Sequence, residues 1–162
     1  SVVNGDAWQI VASPVLMAKA SLPSIRSLMT PEDWSTFSAH LPEAISSRLS
    51  FYENLSDHKF PYNWDNWTSF PAARERALAA FGASKCEPLV FSADSHMFWK
   101  NDLYNEVGDK RATEFSVSSV TSPSLVDQLG LGNLSTAFVE YNDEVQFNAA
   151  SERGFFVCYP RR

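Results

Sequence analysis

The sequence predicts a single layered α/β domain (α+β in the looser sense), with helices packed over a sheet. Three observations carry that expectation. The chain has 162 residues, enough for one domain of ordinary size with a core of its own. Its residues are 44% hydrophobic and 20% charged, the balance of a globular chain rather than a disordered or fibrous one. Along the chain a strand-like run is followed by two or three helical stretches, another apolar run and then mostly strand-like segments, the order of a sheet covered by helices. No internal repeat or low-complexity tract divides it, so residues 1–162 are taken as one unit.

Each element has its own signal. Residues 8–18, WQIVASPVLMA, are apolar and β-rich but broken by Pro14, which predicts a buried strand or two short ones around a bulge. A helix begins at TPEDWSTFSAHL, with Thr30 as N-cap, Pro31 in the first turn, and Glu32 and Asp33 near the positive end of the dipole. Pro42 opens a second helix in which Ile45, Leu49 and Tyr52 recur at spacings of four and three. Residues 56–70, SDHKFPYNWDNWTSF, have neither period and form a long aromatic loop, of a kind that is usually functional or mobile.

PAARERALAAFG, residues 71–82, is a helix with Pro71 in its first turn and Gly82 as its stop. PLVFSA, residues 88–93, is a short strand apolar enough to be covered on both faces. ATEFSVSSV, residues 112–120, alternates as a further strand, and SPSLVDQLG, residues 122–130, is a short helix. The end, VQFNAASERGFFVCYP, reads as a hairpin turning through Ser151 to Gly154.

Composition also excludes whole classes of function. A formal net charge of −6, a pI near 5.0 and no basic stripe argue against a nucleic-acid backbone as partner. No run reaches the roughly 18 apolar residues of a membrane span. The start, SVVNGDAW, lacks the charged and apolar regions of a signal peptide and an initiator Met, which reads as a chain cut or processed from something longer. Cys86 and Cys158 have no zinc-type spacing; two unpaired, buried, inert thiols are expected, although a pairing is open. Sequons begin at Asn54, Asn66 and Asn133, triplets too common to assign a compartment. The aromatic share of 14%, with five Trp and twelve Phe, predicts a core or a cleft wall built from rings.

Chemistry concentrates in FSADSHMFWKNDL, residues 91–103. A buried strand ends and Asp94 and His96 come next, two apart, so in extended backbone both side chains face one space. A carboxylate with an imidazole suits a transition metal, alone or beside a harder cation. Two ligands fall short of a catalytic site, which commonly takes three or more from protein. The competing reading is a chance D-x-H in which Asp94 caps the turn after the strand.

The stretch resembles the signature of the PhoD-type alkaline phosphatases, a branch of the calcineurin-like metallophosphoesterases. That family carries an apolar strand, then G-D-x-H, then W-x-N-D-L, matched here by Asp94, His96, Trp99, Asn101, Asp102 and Leu103. Upstream, WDNWTSFPAARERAL resembles its W-D-x-Y-P…R-x-R-L segment through Trp64, Asp65, Arg74 and Arg76. Downstream, Glu114, Phe115, Ser119, Thr121, Ser122 and Pro123 match its E-F…S-x-T-S-P run, and the tail with Arg153-Gly154 resembles its closing hairpin.

The resemblance implies the C-terminal part of a PhoD-like domain, half of a four-layer α/β/β/α sandwich whose N-terminal half is absent from this chain. It implies Asp94 and His96 as metal ligands, iron and calcium as the metals, and metal-activated water attacking phosphate mono- or diesters. It implies the N-terminal half as partner, a secreted or periplasmic setting, and an apolar, aromatic interface where that half packs. The family's glycine before the Asp is Ala93, harmless unless that backbone needs φ > 0. Ser13-Pro14 replaces a usual polar pair, and the WDNWTSF loop is longer than the usual form.

Other positions have plainer readings beside the functional ones. Asp65 either lines the cleft or closes an Asx-turn. Arg74 and Arg76 point to different helix faces and are more often salt-bridged than phosphate-facing. Trp99 is expected to pack under the site loop. Asn101 and Asp102 either support the His96 loop by hydrogen bonds or make ordinary turns. His40 and His58 have no partner motif. No G-x-S-x-G elbow supports a serine hydrolase. The alternative function is a non-catalytic binding or assembly module that keeps the fold.

Overall fold

The computed structural model describes residues 8–56, 58–129 and 134–159. Its centre is one five-stranded mixed sheet in the order β1-β2-β4-β3-β5. The strands are β1 (Ile10–Ala12), β2 (Leu89–Ser92), β3 (Phe98–Tyr104), β4 (Lys110–Ser116) and β5 (Val145–Ala149). β1, β2 and β4 run parallel, while β3 is antiparallel to both β4 and β5. The parallel strands therefore end on one rim, and β3 begins there. The chain leaving β2 crosses the end of β4 to reach β3, and that crossing carries residues 93–97.

The helices are α1 (Pro31–Ala39), α2 (Glu43–Ser56), α3 (Pro71–Gly82), α4 (Leu125–Leu129) and α5 (Leu134–Tyr141). Thr30 caps α1 as the sequence predicts, its side chain accepting from the Asp33 N–H with Pro31 in the first turn. In α2, Leu49 is buried and Ile45 half-buried; the Tyr52 side chain lies outside the described ones. Gly82 is the last residue of α3 rather than a stop beyond it. A Cβ there would lie 2.6 Å from Arg111 Nη1, the mobile end of a part-exposed side chain, and Gly82 has no positive φ that would require glycine.

Alternation sorts the sheet into two faces. Val90, Trp99, Leu103 and Ala112 point into the core with Leu78 of α3, Phe138 of α5, and Leu16, Met17 and Ile25 from the segment after β1. Tyr62, Trp99 and Phe138 form a ring cluster, with Trp99 and Phe138 centroids 4.9 Å apart and Tyr62 edge-on to Phe138 at 5.6 Å. The aromatic composition thus builds the core, as expected. Rings gather on the opposite face too: Phe91, Phe115 and Phe156 stack at 5.4–6.4 Å.

Two buried polar networks tie the segment after β1 to the sheet. Glu114 accepts from Met17 N–H at 2.7 Å, Ala18 N–H at 2.9 Å, Ser92 Oγ at 2.7 Å and Asn101 Nδ2 at 2.9 Å. Arg74 donates to the carbonyls of Met17 and Tyr104 and pairs with Glu144 at 2.7 Å. Arg74 is the buried salt bridge its plainer reading foresees, and Arg76 is exposed.

Several expectations are corrected. The first run makes one short, largely exposed strand rather than a buried one: Ser13 N–H makes a last bond to the Phe91 carbonyl at 2.9 Å, and Pro14, which has no N–H, follows. The strand expected at 112–120 starts at Lys110 and ends at Ser116. β3 and α5 are additions that the sequence pattern does not predict. Among the described residues the closing hairpin has only its first arm: residues 150–159 form no strand, and Phe155 and Tyr159 are exposed. Both cysteines are free as expected, yet Cys158 is exposed and Cys86 half-buried, so neither is a core thiol. Of the sequons, Asn54 is exposed, Asn66 is buried and Asn133 lies outside the described residues. No described helix is long and apolar enough to cross a membrane.

Candidate metal centre

The rim where β1, β2 and β4 end is the place where parallel sheets usually bind ligands, because rigid strands fix the loops that leave them. Asp94 and His96 sit there together on the crossing from β2 to β3. The backbone differs from the extended form that the D-x-H spacing suggests. Asp94 has φ 74° and His96 φ 57°, both left-handed. Asp and His tolerate that region better than most residues, but holding two of them there within three positions costs free energy. Ala93 shows no positive φ, so replacing the family's glycine there is harmless.

Neighbouring groups over-determine the turn. Ser95, buried between the two, accepts from the Trp99 indole N–H at 2.8 Å. Trp99 therefore packs under the site loop and holds it by a hydrogen bond as well. Ser118 Oγ stands between two carbonyls, that of Glu152 at 2.7 Å and that of His96 at 3.1 Å, and its one proton is shared between them. His96 Nδ1 lies 3.0 Å from the Pro123 carbonyl. A carbonyl only accepts, so Nδ1 is the donor, which in the neutral ring leaves the lone pair on Nε2, the tautomer of a metal-ligating imidazole. On the other side, Asn63 Nδ2 donates to Asp94 Oδ2 at 3.3 Å.

The remaining expected positions divide. Asp65 is exposed, lines a hollow beside the rim, and does not close a turn itself: Asn63 Oδ1 accepts from the Asp65 N–H at 2.9 Å. Asn101 and Asp102 do not bond the His96 loop. They lie on β3, where Asn101 is buried against Glu114 and Asp102 pairs with Lys110 at 3.0 Å. His40 and His58 are both exposed and distant in sequence from the turn. Asn63, Ser95, Ser118 and Pro123 take roles that the sequence alone does not assign them. Ser95 lies inside the D-x-H stretch and Pro123 inside the downstream run, but only the fold shows what they hold.

Among the described residues no three or more His, Cys, Asp or Glu gather where they can hold an ion. The turn offers two donors of the right chemistry and no third.

Comparison with known proteins bears on the family and the fold. No curated protein matches the chain. A solved structure described as that of PhoD is similar in fold, with TM-score 0.53 at 19% identity, covering 91% of this chain and 22% of that one. The chain thus spans about 22% of the length of that structure. Residues 3–162 match the family described as PhoD-like phosphatase, and the chain belongs to that family.

Proposed function

We propose that this chain forms one side of a metal-dependent phosphoric ester hydrolase centre of the alkaline phosphatase D kind, with Asp94 and His96 as its metal ligands. The observation that carries the reading is the turn itself. A carboxylate and a correctly tautomerised imidazole stand in left-handed backbone at the carboxyl ends of parallel strands, and four neighbours hold them there. Strain maintained at such cost is characteristic of functional sites.

The donor set fits half a centre. Imidazole nitrogen and carboxylate oxygen suit iron, and the carboxylate also suits calcium. The other ligands are assigned to an N-terminal half outside this chain, seated against the aromatic outer face of the sheet. When bound, such metals polarise phosphoryl oxygens and lower the pKa of an attacking water. The chain's own residues do the positioning: Pro123 fixes the His96 ring, Asn63 the Asp94 carboxylate, and Trp99 the turn between them. The substrates are phosphate mono- or diesters, hydrolysed without a covalent enzyme intermediate, in a secreted or periplasmic setting.

The test is native mass spectrometry of the full-length protein as purified, followed by hydrolysis of 4-nitrophenyl phosphate and bis(4-nitrophenyl) phosphate. Bound iron or calcium, lost together with hydrolysis in His96→Ala, is the expected result. A metal-free protein inactive on both esters overturns the reading in favour of a binding or assembly module.

A further inference from the structure

A single peptide unit connects His96 to a carboxylate that does not touch it. His96 Nδ1 donates to the Pro123 carbonyl at 3.0 Å, and the Ser124 N–H donates to Asp127 Oδ2 at 3.0 Å. That carbonyl and that N–H are the two ends of one peptide bond. We propose that Asp127 is a positioning residue for His96: through this peptide its carboxylate holds the proton on Nδ1 and leaves Nε2 as the electron-rich nitrogen offered to a metal. The use of Nε2 by a metal rests on the phosphatase reading; the coupling of Asp127 to the imidazole does not.

The physical basis is that hydrogen bonds in a chain polarise one another. The peptide is a planar, resonance-delocalised unit. A carboxylate that accepts from its N–H therefore shifts electron density onto the carbonyl oxygen at the other end. That oxygen becomes the better acceptor for Nδ1–H, and a firmly held Nδ1–H makes Nε2 the more basic nitrogen. Metal-ligating histidines commonly donate their other ring N–H to a carboxylate or to a backbone carbonyl. Here the carbonyl comes first and the carboxylate stands behind it.

Local structure keeps the parts aligned. Asp127 lies in the first turn of α4, and its own N–H bonds Ser124 Oγ at 3.0 Å, so peptide and carboxylate are tied from both sides. Ser124 is 1% exposed, which shields its N–H from water. The Ser124 N–H, ahead of every other cause, holds the Asp127 carboxyl below its ordinary range, so the group is charged at neutral pH. Arg153 reaches the same oxygen at 2.8 Å, but both side chains are part-exposed and water weakens that pair. A helix cap alone needs no charge, since an amide oxygen accepts from the Ser124 N–H as well. The charge is what acts on His96.

The experiment uses the full-length protein, stripped of metal and isotopically labelled at the histidine ring nitrogens, with His96→Gln to identify the His96 signals by NMR. The wild type should hold His96 mainly in the Nδ1–H form. Asp127→Asn keeps an acceptor oxygen for the cap and removes the charge. It should lower the ratio of Nδ1–H to Nε2–H about threefold, the scale of a bond strengthened by roughly 10–30%. Cobalt(II) alone, added to the same samples and followed by its visible absorption, should bind about tenfold more weakly, the lower end for an outer partner of a ligating histidine. Asp127→Glu, the usual acid at this place of a capping box, should keep both readings near the wild type. Glu152→Gln controls for net charge, because that carboxylate accepts from the Ser151 N–H and not from the peptide at Pro123. It should move neither reading. Circular dichroism and thermal melts establish that the variants fold. A wild type without the Nδ1–H form, or a ratio unchanged in Asp127→Asn, overturns the proposal; so does an equal change in Glu152→Gln or in Asp127→Glu. A shifted ratio in a protein that binds no cobalt keeps the coupling and removes the metal reading instead.

Discussion

Asp94 illustrates how a residue's stability and its use diverge. Its carboxylate is exposed and makes a long bond to Asn63, while its backbone is held at φ 74°. Asp94→Gly removes the Cβ that opposes this conformation, and left-handed strain of this kind costs of order 1 kcal/mol. We expect the variant to unfold at a denaturant midpoint equal to or above that of the wild type. Loss of a metal ligand should meanwhile lower hydrolysis by the full-length protein at least about 100-fold, since even outer partners of ligands cost 10–100-fold. A clear loss of stability with activity retained would contradict both the strain and the ligand role. The two candidate ligands are legible in the sequence because they stand two apart and are chemically unusual after an apolar run. Asn63 is not, since it meets Asp94 across 31 positions of chain and only the fold brings them together.

Among elements, β3 shows why patterns fail where polar groups are buried. Its sequence FWKNDLY places Trp99, Asn101 and Leu103 inward, and the buried Asn101 breaks the apolar alternation that would have marked a strand. Asn101 is admitted because Glu114 accepts its amide, a partner that exists only once β4 is alongside. The tail fails in the opposite way: its apolar pattern is strand-like, but no described strand pairs with it. The short helix expected within residues 122–130 is α4, Leu125–Leu129, and the cap that the structure shows there gives a pH test. Ser124 Oγ accepts from the Asp127 N–H and Asp127 Oδ2 accepts from the Ser124 N–H, a reciprocal cap, with Arg153 2.8 Å from the same carboxylate. The Ser124 N–H above all, with a hydrogen bond from Ser151 and then the charge of Arg153, holds the Asp127 pKa below its ordinary 3.8 against the opposing effect of desolvation. A depressed carboxyl stabilises the fold above its unfolded pKa and loses that contribution as pH falls through its folded value. Urea unfolding measured on acidification below pH 3.8 should therefore weaken more steeply in the wild type than in Asp127→Asn. Equal slopes would show that the cap carries no charge-dependent stability.

The whole molecule has one finished face and one unfinished. Helices and the segment after β1 cover the inner face of the sheet, whereas the outer face carries Ile10, Phe91, Phe115 and Phe147, with Lys100 paired between the last two, and among the described residues Gly154 and Phe156 of the tail lie against it. Ile10 is 64% and Phe147 52% exposed, at opposite edges of the same face. A lone chain has no reason to keep large apolar side chains there, while a layer packed over them gains roughly 1.5–3 kcal/mol for each one fully buried. Ile10→Lys with Phe147→Lys separates the two situations. In the isolated chain the double variant should bind less hydrophobic dye and remain soluble at higher concentration, with a melting temperature near that of the wild type, because exposed positions usually change stability by no more than about 0.5 kcal/mol. If a further layer packs over this face in the full-length protein, the same pair places two ammonium groups in an apolar contact and should lower both the melting temperature and hydrolysis. If the full-length protein tolerates it as the isolated chain does, the face is open to solvent in both. The centre at Asp94 and His96 would then need its further ligands from a partner seated elsewhere on the rim.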